Sequence, residues 1–326
     1  MTECVIGFDT SCYTTSCAAV TMDGQVIASC RKLLPVKLGQ RGLRQSEAVF
    51  DHVRQLPPLM QELGEAIREY QVAAVCASFT PRDDEDSYMP VFHVGATQAQ
   101  GLSALMHIPL YKTTHQRGHI AAASLDSGIQ PGDLLALHLS GGTTELLEMK
   151  DGRLTIIGGT RDLHAGQLVD RTGVALGLPF PSGPHLEELA VKGNAQARIG
   201  VSMVDGTYCH FSGAEAQLMR LIQSGEISRE DIAAEVYDLL ARTIARMVTR
   251  GAEQTGIRQV LLAGGVASSA LFREKVRGRI SKIDRELSVC FGHPQYSGDN
   301  AVGVALEGAR QARNSTEVPI VGSADS

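Results

Sequence analysis

The chain carries one ordered pattern twice. In each copy, an apolar, strand-like run is followed by a turn of small or hydroxyl-bearing residues, a second run, an Asp-Gly pair and a third run. The pairs Asp23-Gly24 and Asp151-Gly152 are 128 residues apart, and such pairs favour the tight turn of a β-hairpin. One Asp-Gly match is common, whereas the ordered match of all the features predicts a duplicated domain.

The same runs alternate with stretches of helical periodicity, so the sequence predicts an α/β fold. We expect a helical region from Leu43 to Glu69, interrupted near Pro57-Pro58 because proline disrupts a helix interior, and a buried strand from Val72 to Phe79. Asp299 is a favoured N-cap residue for a closing helix. The predicted domains are residues 1–130 with helix 300–313 returning to them, residues 131–299, and a frayed tail over 314–326.

Composition restricts the class of protein. The 326 residues are 43% hydrophobic and 20% charged, as expected of a soluble chain with two domains. The net charge of -6 means that any nucleic-acid contact must rest on a local basic patch. No apolar run approaches the ~18 residues that a membrane helix needs. The seven scattered cysteines, without a Cys-x-x-Cys pair, fit a reducing compartment, so we expect a cytoplasmic protein without membrane contact.

His115 and His119 are four residues apart and therefore lie on one face of a helix, where two imidazoles can hold one metal ion. The pair alone is an incomplete site, and two surface histidines on a polar helix are the simpler interpretation. His138 lies within an apolar strand. A buried histidine normally has a partner, so it is either a satisfied core residue or a third metal-binding imidazole.

Two glycine-rich turns are candidates for binding a nucleotide. Ser140–Thr143 follows a buried strand, and glycines there let backbone N–H groups converge on an anion, although an ordinary tight hairpin explains the turn equally well. Gly264-Gly265 joins a strand to a helix, where it either admits a phosphate or purine or allows close helix–strand packing. Three acidic residues could bind ribose hydroxyls or a cation, or could simply be solvated at the surface: Asp162, Asp170 and Glu187. Neither turn is a Walker P-loop.

A further set of segments matches a known family in order, from Ile6 to about Glu307. They are Gly7–Cys12, the pair His115 and His119, Leu139–Thr143, Asp162–Asp170, Pro181–Pro184, Phe211–Gly213, Leu262–Val266 and Gly298–Ala301. Together these segments resemble the TsaD-type threonylcarbamoyltransferase family, once called glycoprotease-like. The resemblance implies the fold of actin, hexokinase and the sugar kinases, in which two duplicated domains form a nucleotide cleft between them.

The resemblance also implies ligands and roles. His115, His119 and Asp299 correspond to metal ligands, and His138 stands where some relatives carry a tyrosine ligand; one divalent metal, iron or zinc, suits these groups. We expect a closing domain to bring Asp299 opposite the histidine pair. The expected contacts of an adenine nucleotide (ATP, AMP or an acyl-AMP) are Leu139, Ser140, Gly141, Gly142, Thr143, Asp170, Gly183, Glu187, Gly264, Gly265 and Ser269.

In this family a threonylcarbamoyl group passes from its mixed anhydride with AMP to the N6 amine of adenosine in a transfer RNA. The metal would polarise a carbamoyl or phosphate oxygen. Asp9, Ser11 and Asp162 are the catalytic candidates. The expected partners are an adenine nucleotide, tRNA, and a homologous subunit or a second copy of the chain.

The chain departs from the family at several positions. Tyr13 and Thr14 replace two acidic residues, Thr143 replaces a histidine, and Ser269 replaces an asparagine. The segment 81–86 is acidic where the family has a Gly-Pro-Gly-Leu loop, and acidity there would repel RNA phosphates. We therefore expect threonylcarbamoylation of tRNA to be absent or very weak, unless Asp9 or Asp162 takes over the carboxylate role.

Three functions follow from these patterns. The first is a metal-dependent carbamoyl-type transferase, acting on tRNA or on another acceptor, and it is the one we expect. The second is a catalytically degenerate paralogue that serves as a binding or scaffold partner. The third, a sugar-kinase-like phosphotransferase, is disfavoured because a His-x-x-x-His metal pair is foreign to that chemistry. Proteolysis has no support, since the chain lacks a His-Glu-x-x-His motif.

Overall fold

The computed structural model describes residues 1–35, 43–84 and 86–317, which divide between two compact units. The first unit comprises residues 1–122 and the chain from Asp299 onward, and the second comprises residues 123–298. Asp299 therefore belongs to the first unit, whereas the predicted border assigned it to the second domain. Its side-chain contacts, described below, are all with residues of the first unit.

The described part of the chain contains twelve strands and nine α-helices, with strands and helices interspersed along its length. The strands are β1 (Thr2–Thr10), β2 (Thr14–Thr21), β3 (Val26–Leu33), β4 (Tyr70–Thr80), β5 (Leu110–Thr114), β6 (Leu134–Leu139), β7 (Thr144–Lys150), β8 (Arg153–Thr160), β9 (Met203–Asp205), β10 (Tyr208–Cys209), β11 (Gln259–Ala263) and β12 (Ser288–Phe291). The helices are α1 (Gln45–Ala66), α2 (Phe92–Met106), α3 (His115–Ser124), α4 (Ala165–Ala175), α5 (Gly183–Ala190), α6 (Ser212–Ser224), α7 (Arg229–Thr255), α8 (Ala270–Ile283) and α9 (Val302–Glu317).

Each unit is built on one mixed sheet, and the two sheets repeat the same topology. The first has the order β3-β2-β1-β4-β5, with β1 to β3 antiparallel and β4 and β5 parallel to β1. The second has the order β12-β11-β6-β7-β8-β10-β9. Its strands β8-β7-β6-β11-β12 match the first sheet in order and direction. The predicted duplicated α/β fold is confirmed.

The first sheet is covered on both faces. Apolar side chains of β1 and β4 alternate between a face packed on α1 and α2 and a face packed on α9. Every residue of β2 is buried, which a sheet covered on one side only would not allow. In the second unit, the long helix α7 packs against α5, α8 and the sheet, and residues such as Tyr237, Leu240 and Ile244 are almost fully buried.

Helix α1 continues through Pro57 and Pro58, so the predicted interruption there is wrong. Both prolines lie on the exposed side of the helix. Their missing N–H groups leave the carbonyls of Val53 and Arg54 without a helical partner. Those two residues are also exposed, so water can hydrate their carbonyls. The buried stripe on the opposite side keeps the helix on the sheet.

Helix α9 corrects two further predictions. It extends to Glu317, so residues 314–317 are helical instead of frayed, and the predicted tail beyond them lies outside the described residues. Its start is capped by Asn300, whose Oδ1 accepts from the Val302 N–H at 3.0 Å, and the Asp299 carboxylate is directed elsewhere. No helix among the described residues has the length and hydropathy needed to cross a membrane.

Candidate functional site

Two imidazoles and one carboxylate converge at the start of α3. The Nε2 atoms of His115 and His119 are 3.0 Å apart, and Asp299 Oδ1 lies 3.3 Å from His119 Nε2 and 3.7 Å from His115 Nε2. One donor atom from each residue lies within 4.8 Å of the others. This is a spacing that a single cation can bridge. All three residues belong to the first unit, so the cluster forms without any domain closure, contrary to our expectation.

Close backbone contacts fix Asp299 opposite the histidines. A Cβ atom on Gly303 would lie 1.7 Å from the carbonyl oxygen of Gly118, so α9 and α3 cross with their backbones in contact. A Cβ atom on Gly7 would lie 2.5 Å from the Ala305 nitrogen, so α9 also lies directly on β1. Only glycine allows such approaches. The two crossings set the position of the chain just before α9, where Asp299 stands.

Asp9 and Ser11, at the end of β1, orient the cluster. Asp9 is 1% exposed, and its Oδ2 accepts from His115 Nδ1 at 2.8 Å. The Ser78 hydroxyl donates to the other oxygen of Asp9, and the Ser11 hydroxyl donates to Asp299 Oδ2. A proton held on Nδ1 leaves Nε2 of a neutral His115 as an acceptor facing the cluster. The structure thus gives these two catalytic candidates contacts that hold and orient the predicted metal ligands.

The charges in the cluster are strongly coupled. Burial disfavours a charged ring at His115, but the neighbouring carboxylates, Asp9 first and Asp299 next, raise its pKa to about 9. Burial likewise disfavours a charged Asp299, but hydrogen bonds and charge from His119 and His115 hold its pKa well below its usual range. Without a metal, the cluster is therefore an ion pair at neutral pH.

This ion pair predicts how the stability of the metal-free protein depends on pH. The pKa of His115 is raised in the folded state to about 9, so its contribution is complete below the unfolded value of ~6.5 and is lost as pH rises through about 9. We expect a loss on the order of 2 kcal/mol between pH 6.5 and 9, measured by denaturant unfolding of metal-free protein. His115→Gln should lack this component. An equal loss in both proteins would contradict the assignment.

The predicted nucleotide turns lie at the ends of adjacent strands in the second unit. Ser140 N donates to Thr143 O at 2.8 Å, and the Ser140 carbonyl accepts from Gly166 N at the start of α4. Gly141 and Gly142 are exposed. The turn therefore closes β6 onto a helix N-terminus and leaves two bare glycines at the surface. The carboxyl ends of parallel strands beside helix N-termini are a common ligand position in α/β sheets.

Gly264 and Gly265 have different surroundings. Gly264 has a φ of +98°, and a Cβ atom there would lie 2.3 Å from the Leu139 carbonyl oxygen. Close packing against the end of β6 thus accounts for the first glycine. A Cβ atom on Gly265 would meet nothing within 4 Å. Of the two, only Gly265 borders open space that a ligand can enter.

The remaining predicted nucleotide contacts lie on α4, α5 and the start of α8. Asp170 Oδ1 accepts from Ser182 N at 2.8 Å, next to Gly183. Glu187 Oε1 accepts from Leu271 N at 2.8 Å, and the Ser269 hydroxyl caps the same helix by accepting from Phe272 N. The structure therefore brings Gly183, Glu187 and Ser269 onto neighbouring elements. Each of the two carboxylates keeps a second oxygen for which a ligand can compete.

Two predicted site residues lie elsewhere. Asp162, in the second unit, accepts from the backbone N–H groups of Leu163, Phe211 and Ser212. These bonds and the Ser212 hydroxyl lower its pKa to about 2 despite the opposing effect of burial. Asp162 therefore caps α6. His138 lies on β6 beside Ala263 and is not part of the His115, His119 and Asp299 cluster.

The residues that depart from the family occupy defined positions. Tyr13 is 47% exposed, whereas Thr14 is buried and its carbonyl accepts from Ser11 N at 3.1 Å. In the acidic segment 81–86, Asp83 is paired with Arg117, whose Nε lies 2.8 Å from its Oδ2. Glu85 lies outside the described residues. The pairing of Asp83 weakens the predicted repulsion of RNA by this loop.

The chain matches a known protein family over most of its length. A profile of the TsaD family, described as tRNA N6-adenosine threonylcarbamoyltransferase, matches residues 40–306. The enzyme of that name from Thermus thermophilus is 32% identical over 94% of the chain and 92% of its own length. The one from Enterococcus faecalis is 30% identical over 91% of the chain and 87% of its own length. The one from Thermofilum pendens is 27% identical over 97% of the chain and 91% of its own length.

Solved structures of other proteins share the fold. HypF from T. kodakarensis superimposes with a TM-score of 0.61 at 15% identity, covering 96% of the chain and 48% of HypF. The ROK hexokinase from Thermus thermophilus gives a TM-score of 0.54 at 13% identity and covers 95% of the chain and 99% of the hexokinase. At these identities the likeness extends to the fold alone. It confirms the predicted actin- and hexokinase-like architecture.

Proposed function

The chain belongs to the tRNA N6-adenosine threonylcarbamoyltransferase family, and from that premise we propose that it transfers a threonylcarbamoyl group from its anhydride with AMP to N6 of adenosine in a tRNA. The observation that carries the proposal is the cluster of His115, His119 and Asp299. Asp9 and Ser11 brace that cluster from β1. A catalytic group that must stay in place during reaction needs such bracing.

The three donor groups fit a divalent metal. Two imidazoles and a carboxylate suit iron or zinc, and three protein ligands leave positions open for substrate. His115 is already oriented by a carboxylate on its other nitrogen, as metal-binding histidines commonly are. A metal held there would act as a Lewis acid on a carbamoyl or phosphate oxygen. Since His115 must lose a proton to bind it, metal affinity should rise with pH.

The adenylate portion of the donor is assigned to the second unit. Phosphates would meet the N–H groups of the Ser140–Thr143 turn, and the purine would approach Gly265. Gly183, Glu187 and Ser269 would line the ribose side. We infer a cytoplasmic protein from the proposed tRNA acceptor. We also propose a homologous subunit or a second copy of the chain as a further partner. The scaffold and kinase alternatives have no observation in their favour.

The direct test uses purified protein, threonylcarbamoyl-AMP and unmodified tRNA, with nucleoside analysis of the product. We expect N6-threonylcarbamoyladenosine to appear only slowly, because Tyr13 and Thr14 are neutral. Its rate of formation should fall when the metal is chelated and return when the metal is restored. Elemental analysis of the same sample identifies iron or zinc. Protein that binds metal and adenylate but leaves tRNA unmodified would point to another acceptor. Protein that binds neither metal nor adenylate would favour the scaffold function over the transferase.

A further inference from the structure

His52 is a buried histidine that the proposed chemistry does not use. It lies on the inward face of α1, is 0% exposed, and reaches the turn between β1 and β2. Its Nε2 lies 2.8 Å from the Ser11 carbonyl oxygen, and its Nδ1 lies 2.8 Å from the Thr15 hydroxyl. A carbonyl oxygen only accepts, so the ring carries a proton on Nε2.

The bonds of His52 define its state. Burial lowers its pKa, so the ring is neutral at neutral pH. A neutral ring that donates from Nε2 can only accept at Nδ1. There the single proton of the Thr15 hydroxyl is shared between Nδ1, 2.8 Å away, and Gln55 Oε1, 2.9 Å away. The ring therefore joins one residue on each side of the turn to α1. An apolar side chain in the same buried stripe would pack there without making either bond.

The turn that His52 holds leads directly to the cluster. Ser11, which belongs to this turn, donates through its hydroxyl to Asp299 Oδ2. The other oxygen of Asp299 faces His119 and His115. Displacement of the Ser11 backbone would withdraw that hydroxyl and free the carboxylate to rotate. We propose that His52 is a positioning residue that, through Ser11, holds Asp299 in its metal-binding orientation. This inference rests on the proposed metal centre.

Two substitutions at one position separate positioning from packing. Glutamine places its amide nitrogen near the position of Nε2 and can still donate to the Ser11 carbonyl, whereas asparagine places its amide near Nδ1 and cannot reach. We expect the Kd for Zn²⁺, measured by calorimetry, to rise about tenfold in His52→Asn and to change by less than about threefold in His52→Gln. In metal-free protein, amide hydrogen exchange at Ser11 should accelerate only in His52→Asn.

Controls address the alternative that any damage to α1 weakens the cluster. Leu56→Ala removes a buried side chain one turn further along the same helix, and it should destabilise the fold without changing the Kd for Zn²⁺. Ser11→Ala breaks the next link without altering the helix, and it should weaken Zn²⁺ binding as much as His52→Asn. Adding His52→Asn to Ser11→Ala should then have no further effect. If His52→Asn does not fold, Ser11→Ala and His52→Gln still test the link.

The outcomes distinguish this inference from the proposed function. Unchanged Zn²⁺ affinity in His52→Asn or in Ser11→Ala overturns the positioning role and leaves the metal centre standing. If Zn²⁺ binding weakens equally in His52→Asn, His52→Gln and Leu56→Ala, the positioning role is overturned as well, because only packing would then affect the affinity. Wild-type protein that binds neither Zn²⁺ nor Fe²⁺ overturns the proposed metal centre, and the positioning role with it.

Discussion

Replacing His115 and His119 together by alanine is expected to remove the bound metal and to slow threonylcarbamoyl transfer by at least ~10³-fold. The two imidazoles supply two of the three donor atoms in the cluster. The remaining Asp299 carboxylate is too weak a site to retain a metal alone. A Lewis acid contributes several kcal/mol to stabilising the transition state, and each ~1.4 kcal/mol is a factor of ten in rate. Elemental analysis and single-turnover assays measure the two effects.

A matched control comes from the second unit. His185 and His210 are both exposed, so replacing this pair by alanine removes as many histidines without touching the cluster. That variant should keep the metal content and rate of the wild type. Unchanged metal content in the variant that lacks His115 and His119 would contradict the assignment of the metal centre. Lost activity with retained metal would instead give the two histidines another role.

Restoring the acidic pair by Tyr13→Asp with Thr14→Glu is expected to raise the rate of tRNA threonylcarbamoylation by about 10²-fold. Neutral side chains cannot act as a carboxylate base at neutral pH. Both positions belong to the turn that carries Ser11, so a carboxylate there stands next to the cluster. Tyr13 is 47% exposed and tolerates a charge, whereas a carboxylate at the buried Thr14 needs a partner. Stability must therefore be measured alongside the rate.

The control for this gain is the amide pair Tyr13→Asn with Thr14→Gln, which matches the acids in shape but carries no charge. An equal gain in rate from the amide pair would show that the size of these side chains, and not their charge, limits the rate of the wild-type protein. A relative that carries the acidic pair sets the reference rate. Wild-type turnover equal to that of the relative would refute our interpretation of the departure and would make Asp9 the carboxylate that replaces the pair.

The sequence predicted those features that depend on neighbours along the chain. Short apolar runs and the two Asp-Gly turns predicted the three-stranded start of each sheet, and their repetition predicted the duplicated topology. The four-residue spacing of His115 and His119 placed both on one helix face, as in α3. The resemblance to the TsaD family, carried by ordered motifs, is confirmed by the profile match.

The features that sequence reasoning missed depend on contacts between distant residues. The unit to which Asp299 belongs follows from the crossing of Gly303 with Gly118, which no local pattern records. The role of Asp162 as a cap depends on the N–H groups of Phe211 and Ser212, about fifty residues away. One sequence feature could have identified His52, namely a histidine within the apolar stripe of an amphipathic helix. The contact between His52 and Ser11 could not be predicted from the sequence without knowing the fold.

The contact between Gly303 and Gly118 has a consequence for the proposed metal centre in a cell short of metal. Small zinc domains unfold without their ion because the ion itself joins the chain segments. Here the segments that carry His119 and Asp299 are joined by backbone packing, and the protonated His115 supplies a positive charge in place of the ion. We expect the apoprotein to persist folded through starvation, as a reserve that regains activity when metal returns, without new synthesis.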